Sequence, residues 1–109
     1  MSPLLEYLQT HDARFHAELF EFLRIPSVSA RSDHTADVAK AANWLRDQME
    51  RIGLEASMHP TEGHPVVLGE WRGAGAAAKT ILIYGHYDVQ PAEPLELWDS
   101  PPFEPTIRD

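Results

Sequence analysis

Cysteine is absent from this 109-residue chain, and its absence removes two kinds of chemistry at once. No disulfide framework can staple the fold, and no thiolate can ligate a metal. Any metal must be held by His, Asp and Glu, which are the donors of hydrolytic zinc sites. Basic side chains are also scarce: nine Lys and Arg stand against seventeen Asp and Glu, a formal charge of -8. That balance opposes nucleic acid and anionic membrane surfaces, whose phosphates need clustered cations. Long apolar runs are missing too, since none approaches the roughly 20 residues that span a bilayer. The amino terminus lacks a cationic segment followed by an apolar stretch, so no secretion signal is expected. The expectation is a soluble cytoplasmic protein.

What the chain does contain is ordinary globular composition. Hydrophobic residues make up 43% and charged residues 24%, which sets it apart from disordered sequences. At this length it forms one domain at most, taken as residues 1–109, with a modest core.

Ser2 followed by Pro3 reads as a helix N-cap with proline at the first helical position. Leu4, Leu8, Phe15, Leu19, Phe22 and Leu23 recur at helical spacing and predict one apolar stripe, interrupted by a polar waist at His11 and Asp12. Pro26 ends that helix, because the residue before a proline is pushed out of the α region. The loop Ser27-Val28-Ser29-Ala30-Arg31-Ser32 follows. A second helix opens near Asp33 or Thr35, with Val38, Ala41, Ala42, Leu45, Met49 and Ile52 on its buried face. Gly53 sits where a left-handed C′ residue would end it, and Leu54 where the accompanying apolar contact falls.

Three strands are expected after that. Residues 54–60 and 65–71 flank a turn at Thr61-Glu62-Gly63, and the unbroken apolar run within residues 80–84 predicts a strand buried on both faces. Between the last two lies a small-residue connector, Arg72 to Ala78. Five of the nine prolines then fall between Pro91 and Pro105, interleaved with Leu95, Leu97, Trp98 and Phe103. Such a segment is neither helix nor central strand. Its apolar residues predict an ordered loop pinned onto a body.

The stretch from Ile81 to Asp88 carries the chemistry. An apolar run delivers His86 and Asp88 just past its end, where ligands collect in α/β sheets. Residues two apart in extended chain project to the same side, so imidazole and carboxylate can face one pocket. The imidazole can ligate a metal and the carboxylate can orient it. The competing account is a histidine capping a strand end and an aspartate starting a turn. His59 and His64 flank the expected hairpin turn, but no third ligand is nearby in sequence, so a solvated loop is the expectation there. Pro91-Ala92-Glu93-Pro94 and Pro102-Phe103-Glu104-Pro105 fit the spacing that docks polyproline-recognising domains. Their flanks lack the basic residue that fixes orientation.

Three blocks together resemble one family: Leu23-Arg24-Ile25-Pro26-Ser27-Val28-Ser29, then Gly85-His86-Tyr87-Asp88-Val89-Gln90-Pro91, then Leu97-Trp98-Asp99-Ser100-Pro101-Pro102-Phe103-Glu104-Pro105. They resemble the zinc aminoacylase and carboxypeptidase family, and within it the carnosinase-like dipeptidase branch. The resemblance covers the amino-terminal part of the family's catalytic domain. It implies an α/β fold, the start of a three-layer zinc-peptidase domain with two helices, about three strands and a Pro-rich loop. It implies a pair of divalent metals, usually zinc, cleaving a peptide or amide bond of a small substrate by metal-activated water. It places a metal ligand at His86 and the catalytic-site residue that orients it at Asp88. The remaining ligands, the glutamate general base and the smaller domain through which relatives often dimerise would lie beyond residue 109.

Catalytic zinc needs three protein ligands and an open position. A chain offering only His86 and Asp88 is therefore expected to bind zinc weakly and to be inactive alone. Two other readings stay open: a deacylase or desuccinylase of the same family, and a non-enzymatic module presenting its Pro-rich segment as a peptide ligand.

Overall fold

The computed structural model describes residues 1–109 and divides the chain into two compact units. One comprises Met1–Pro26 with Ala92–Asp109, the other Ser27–Pro91.

In the first unit, Ser2 caps helix α1 (Pro3–Thr10) by accepting the Leu5 N–H at 3.3 Å, with Pro3 in the first turn as its sequence foretells. The expected single helix is instead broken once. His11 leaves helical geometry at φ -106°, ψ 10°, and α2 (Asp12–Leu23) starts behind it. The ring of His11 donates from Nδ1 to the Tyr7 carbonyl at 2.8 Å, and its backbone N–H reaches the same oxygen at 3.1 Å. A side chain that competes locally for a backbone acceptor interrupts a helix in this way. Arg14 then ties the two segments together, bonding Tyr7 Oη at 3.1 Å and Glu18 at 3.0 Å.

The stripe along these helices was expected to be core, and the structure corrects this. No residue of α1 or α2 is fully buried; Leu4, Leu8, Leu19 and Leu23 are exposed, and Phe15 and Phe22 are half-covered. A helix stripe needs a layer laid over it. Within this unit the only other component is the proline-rich segment. That segment forms turns, with a 3₁₀ turn at Leu95–Leu97, a Trp98 indole N–H donating to the Ala92 carbonyl at 2.8 Å, and a turn closed from Glu104 to Pro101, but Leu95 and Leu97 are exposed rather than pinned onto a body as expected. Trp98 is 51% exposed and Phe103 half-buried.

The second unit contains the tightest packing. A 3₁₀ turn, Ser32–His34, leads into α3 (Thr35–Arg51), so both expected starting points are used. Val38, Ala41 and Ala42 are buried on α3, whereas Ile52, expected on the same face, is 74% exposed. Ile52 is the residue at which the helix ends, turned off the face by the cap. That cap is a full Schellman motif: Leu54 N–H bonds the Met49 carbonyl at 3.0 Å and Gly53 N–H the Glu50 carbonyl at 3.0 Å, with Gly53 at φ +92°.

Leu54 launches a hairpin of β1 (Glu55–His59) and β2 (Val66–Glu70), paired antiparallel from Glu55↔Glu70 to His59↔Val66. Alternate residues Ala56, Met58, Val67 and Gly69 are the more covered. At Gly69 an added Cβ would lie 2.8 Å from Met49 Sδ and 3.0 Å from a Leu54 methyl, so a side chain there would have to push those flexible chains aside. The helix C-terminus and the hairpin are thus in van der Waals contact.

The third expected strand does not form. Residues 80–84 belong to no sheet, and Ile81, Leu82, Ile83 and Tyr84 are between 85% and 89% exposed rather than buried on both faces. A central strand exists only where neighbours complete its hydrogen bonds on each edge and layers cover each face. This chain's sheet has two strands, and neither pairs with the run. No helix is long and apolar enough to cross a membrane.

Because Gly53 has open space around its Cα, any cost of a side chain there comes from backbone conformation alone. Gly53→Ala is expected to destabilise the chain by about 1–2 kcal/mol, and Gly53→Asn by less, in urea denaturation. Equal stability of all three would show that the cap is not formed.

Candidate functional site

His86 and Asp88 are placed by backbone pairing. Val28 and Val89 form an isolated parallel bridge, in which the Val89 N–H donates to the Ser27 carbonyl at 3.0 Å. Val28 and Ser27 are buried, and the Ser27 hydroxyl is satisfied by donating to the Tyr87 carbonyl at 2.9 Å. The segment after Pro26 thus lies alongside residues 87–89. It does for them what the absent third strand was expected to do.

Across that bridge the carboxylate of Asp88 is held from both sides. Its Oδ2 accepts the Ser29 hydroxyl at 2.5 Å, and its Oδ1 lies 2.9 Å from Nδ1 of His86. The Asp88 backbone carbonyl is also 2.9 Å from that nitrogen. Both partners of Nδ1 are acceptors, so in the neutral ring Nδ1 carries the proton. Nε2 is then left with its lone pair, the state in which imidazole ligates a metal. The His86 side chain is 73% exposed, and that of Asp88 40%.

The Ser29 hydrogen bond, aided by His86, holds the Asp88 carboxyl below the usual carboxylate range; partial desolvation opposes this. Tyr87, between them in sequence, points elsewhere. Its hydroxyl donates to the Pro65 carbonyl at 2.5 Å, and burial, with the Asp88 charge, pushes its pKa up.

Whether these residues fit a metal can be tested on the donor set. They offer one imidazole with a free nitrogen and one orienting carboxylate, whose oxygens are already engaged. No group of three or more His, Cys, Asp or Glu side chains comes together to hold an ion. The chain's own residues therefore do not fit a whole metal site.

The two histidines of the hairpin are not brought together as ligands. His59 bonds Ser57 Oγ at 2.8 Å on its own strand. His64, expected in a solvated loop, is half-buried and its Nε2 donates to the Ser29 carbonyl at 3.0 Å. Sequence reasoning gave Ser27, Ser29 and Tyr87 no role here and set His64 aside as a solvated-loop residue. The one available signal was the Ser-Val-Ser alternation, which in extended chain puts both hydroxyls on the face opposite the buried valine.

No protein-family model matches the chain. Similarity to individual proteins is extensive. The chain is 33% identical to the Cys-Gly metallodipeptidase of Candida albicans, over 94% of its own length and 24% of that enzyme's. Succinyl-diaminopimelate desuccinylase of Aromatoleum aromaticum is 35% identical over 72% of the chain and 20% of the enzyme. Among solved structures, the di-peptidase Dug1p of Saccharomyces cerevisiae superposes with a TM-score of 0.81 at 29% identity, covering 91% of this chain and 23% of that one. An M20 family metallo-carboxypeptidase of Sulfolobus solfataricus gives 0.65 at 35% identity, covering 100% and 22%. The chain spans about a quarter of the length of the curated relatives it matches.

The depressed pKa of Asp88 makes the chain's stability depend on pH. The ionised carboxylate is favoured in the folded chain, so its stabilisation is fully present above the unfolded value of about 3.9 and is lost as pH falls through the lower folded value. Ser29→Ala is expected to raise the Asp88 midpoint toward the ordinary range in a carboxyl-carbon NMR titration. An unmoved midpoint would mean that the hydroxyl does not hold the carboxylate.

Proposed function

Because its homologues are metallodipeptidases and M20 metallo-carboxypeptidases, we propose that this chain is the amino-terminal part of a metal-dependent hydrolase that cleaves dipeptides or similar small amides. The single observation that carries the reading is likeness in both sequence and backbone to metallodipeptidases along nearly the whole chain.

On this reading His86 binds a divalent ion through Nε2, and Asp88 fixes the ring and its proton from behind. Zinc suits an imidazole and carboxylate donor set without thiolates. When bound, such ions polarise the scissile carbonyl and acidify water. What the chain itself does is narrower: Ser29 and the backbone bridge hold Asp88, Asp88 holds His86, and His86 presents one lone pair. The further ligands, a second ion, the general base and a dimer contact are assigned to the rest of a longer protein, which we place in the cytoplasm. The 109 residues alone are inactive, since one corner of a site cannot hold an ion against water.

The desuccinylase similarity supports a second reading, hydrolysis of an N-succinyl amide. A substrate panel on the protein continued by its native coding sequence separates the two. The proline-rich segment supports a peptide-ligand module less well, because it is folded into turns and half-covers Phe103.

Calorimetry with zinc on the 109-residue chain is expected to show only weak uptake. In the continued protein, chelation should abolish dipeptide hydrolysis, and Asp88→Ala should weaken metal affinity about 10- to 100-fold. Tight stoichiometric uptake by the 109 residues alone, or hydrolysis indifferent to chelator, would overturn the proposal.

A further inference from the structure

The turn of the hairpin makes two contacts that the proposed chemistry does not use. Nε2 of His64 donates to the Ser29 carbonyl at 3.0 Å, and the carbonyl of the adjacent Pro65 accepts the Tyr87 hydroxyl at 2.5 Å. These consecutive residues thus grip both sides of the Val28–Val89 bridge, one through the Ser29 backbone and one through the Tyr87 side chain. The turn is itself braced, since Thr61 Oγ1 donates to the His64 carbonyl at 2.7 Å and accepts the Gly63 N–H at 3.0 Å. Ser29 is the shared link. Its carbonyl takes the His64 proton while its hydroxyl holds the Asp88 carboxylate.

We infer that His64 is a positioning residue, which sets the Asp88–His86 pair by fixing the Ser29 backbone from the hairpin turn. Hydrogen-bonded neighbours one step beyond a ligand's own partner orient the ligand through that partner. Ser29 precedes a short turn closed only by the Arg31 N–H to the Val28 carbonyl at 3.3 Å, so little else holds its peptide from that side. Without His64 the Ser29 hydroxyl loses its fixed origin. Asp88 then rotates more freely, and Nδ1 of His86 keeps only the Asp88 backbone carbonyl as a fixed acceptor, so its hold on the proton weakens.

The inference takes His86 and Asp88 as ligand and orienter, as proposed above, but its test needs neither metal nor turnover. The ¹⁵N ring shifts of His86 are read on the 109-residue chain at a pH where the rings are neutral. The unaltered chain should show the Nδ1–H tautomer. His64→Met, close in bulk but without a donor, should move His86 toward a mixture of tautomers, while β1–β2 amide shifts stay in place. His64→Gln, whose amide can donate to the same carbonyl, should restore the Nδ1–H form. If His64→Met loses the hairpin amide pattern, the near-isosteric pair His64→Gln and His64→Glu supplies the reading, since only the amide can donate to the Ser29 carbonyl. A His86 tautomer unchanged in His64→Met, or identical in His64→Gln and His64→Glu where the former does not fold, overturns the inference. Loss of hydrolysis in the continued protein would not bear on this result, and an unchanged tautomer would leave the hydrolase reading standing.

Discussion

The candidate site depends on one parallel bridge, Val28 to Val89, between segments distant in sequence. A single ladder step is a weak interaction, and here it is reinforced from within. Ser27 and Val28 are buried, and Ser27 donates to the backbone of the segment it faces. Ser29, one step on, turns the same pairing into an electrostatic device by bonding the carboxylate of Asp88. Remove the bridge and neither serine has its partner.

From that constraint the charge arrangement follows. A carboxylate that accepts from a hydroxyl and an imidazole is stabilised in its ionised form, which is the form that keeps a proton on Nδ1 of His86. The ring is thereby committed on one edge and open on the other. It is also the most solvent-exposed member of the network, its side chain at 73%. Ile81 to Tyr84, which precede the pair in sequence, are uncovered.

Much of the second unit was legible in the residues. Val38, Ala41 and Ala42 at helical spacing, Gly53 as the left-handed cap and the Thr61-Glu62-Gly63 turn each stand where local rules put them, because caps and turns are decided by a few adjacent residues. Where burial depends on distant partners, local pattern misled. Ile81-Leu82-Ile83 has the composition of a central strand, yet composition cannot supply the neighbours that make one. The His11 break was visible only as a polar waist, since it rests on one ring reaching back to Tyr7. In the site, the proximity of His86 and Asp88 was legible from their two-residue spacing. The contributions of Ser29 and His64 were not, because both act through contacts spanning 35 or more residues.

The claim most open to direct measurement is that Asp88 occupies one nitrogen of His86 and leaves the other for a metal. Anomalous diffraction at the zinc edge, from crystals of the protein continued by its native coding sequence, would locate the ion. The account predicts density about 2.0–2.1 Å from Nε2 of His86, with Nδ1 still within hydrogen-bond reach of Asp88. An ion on Nδ1, or no ion within bonding distance of His86, would contradict it.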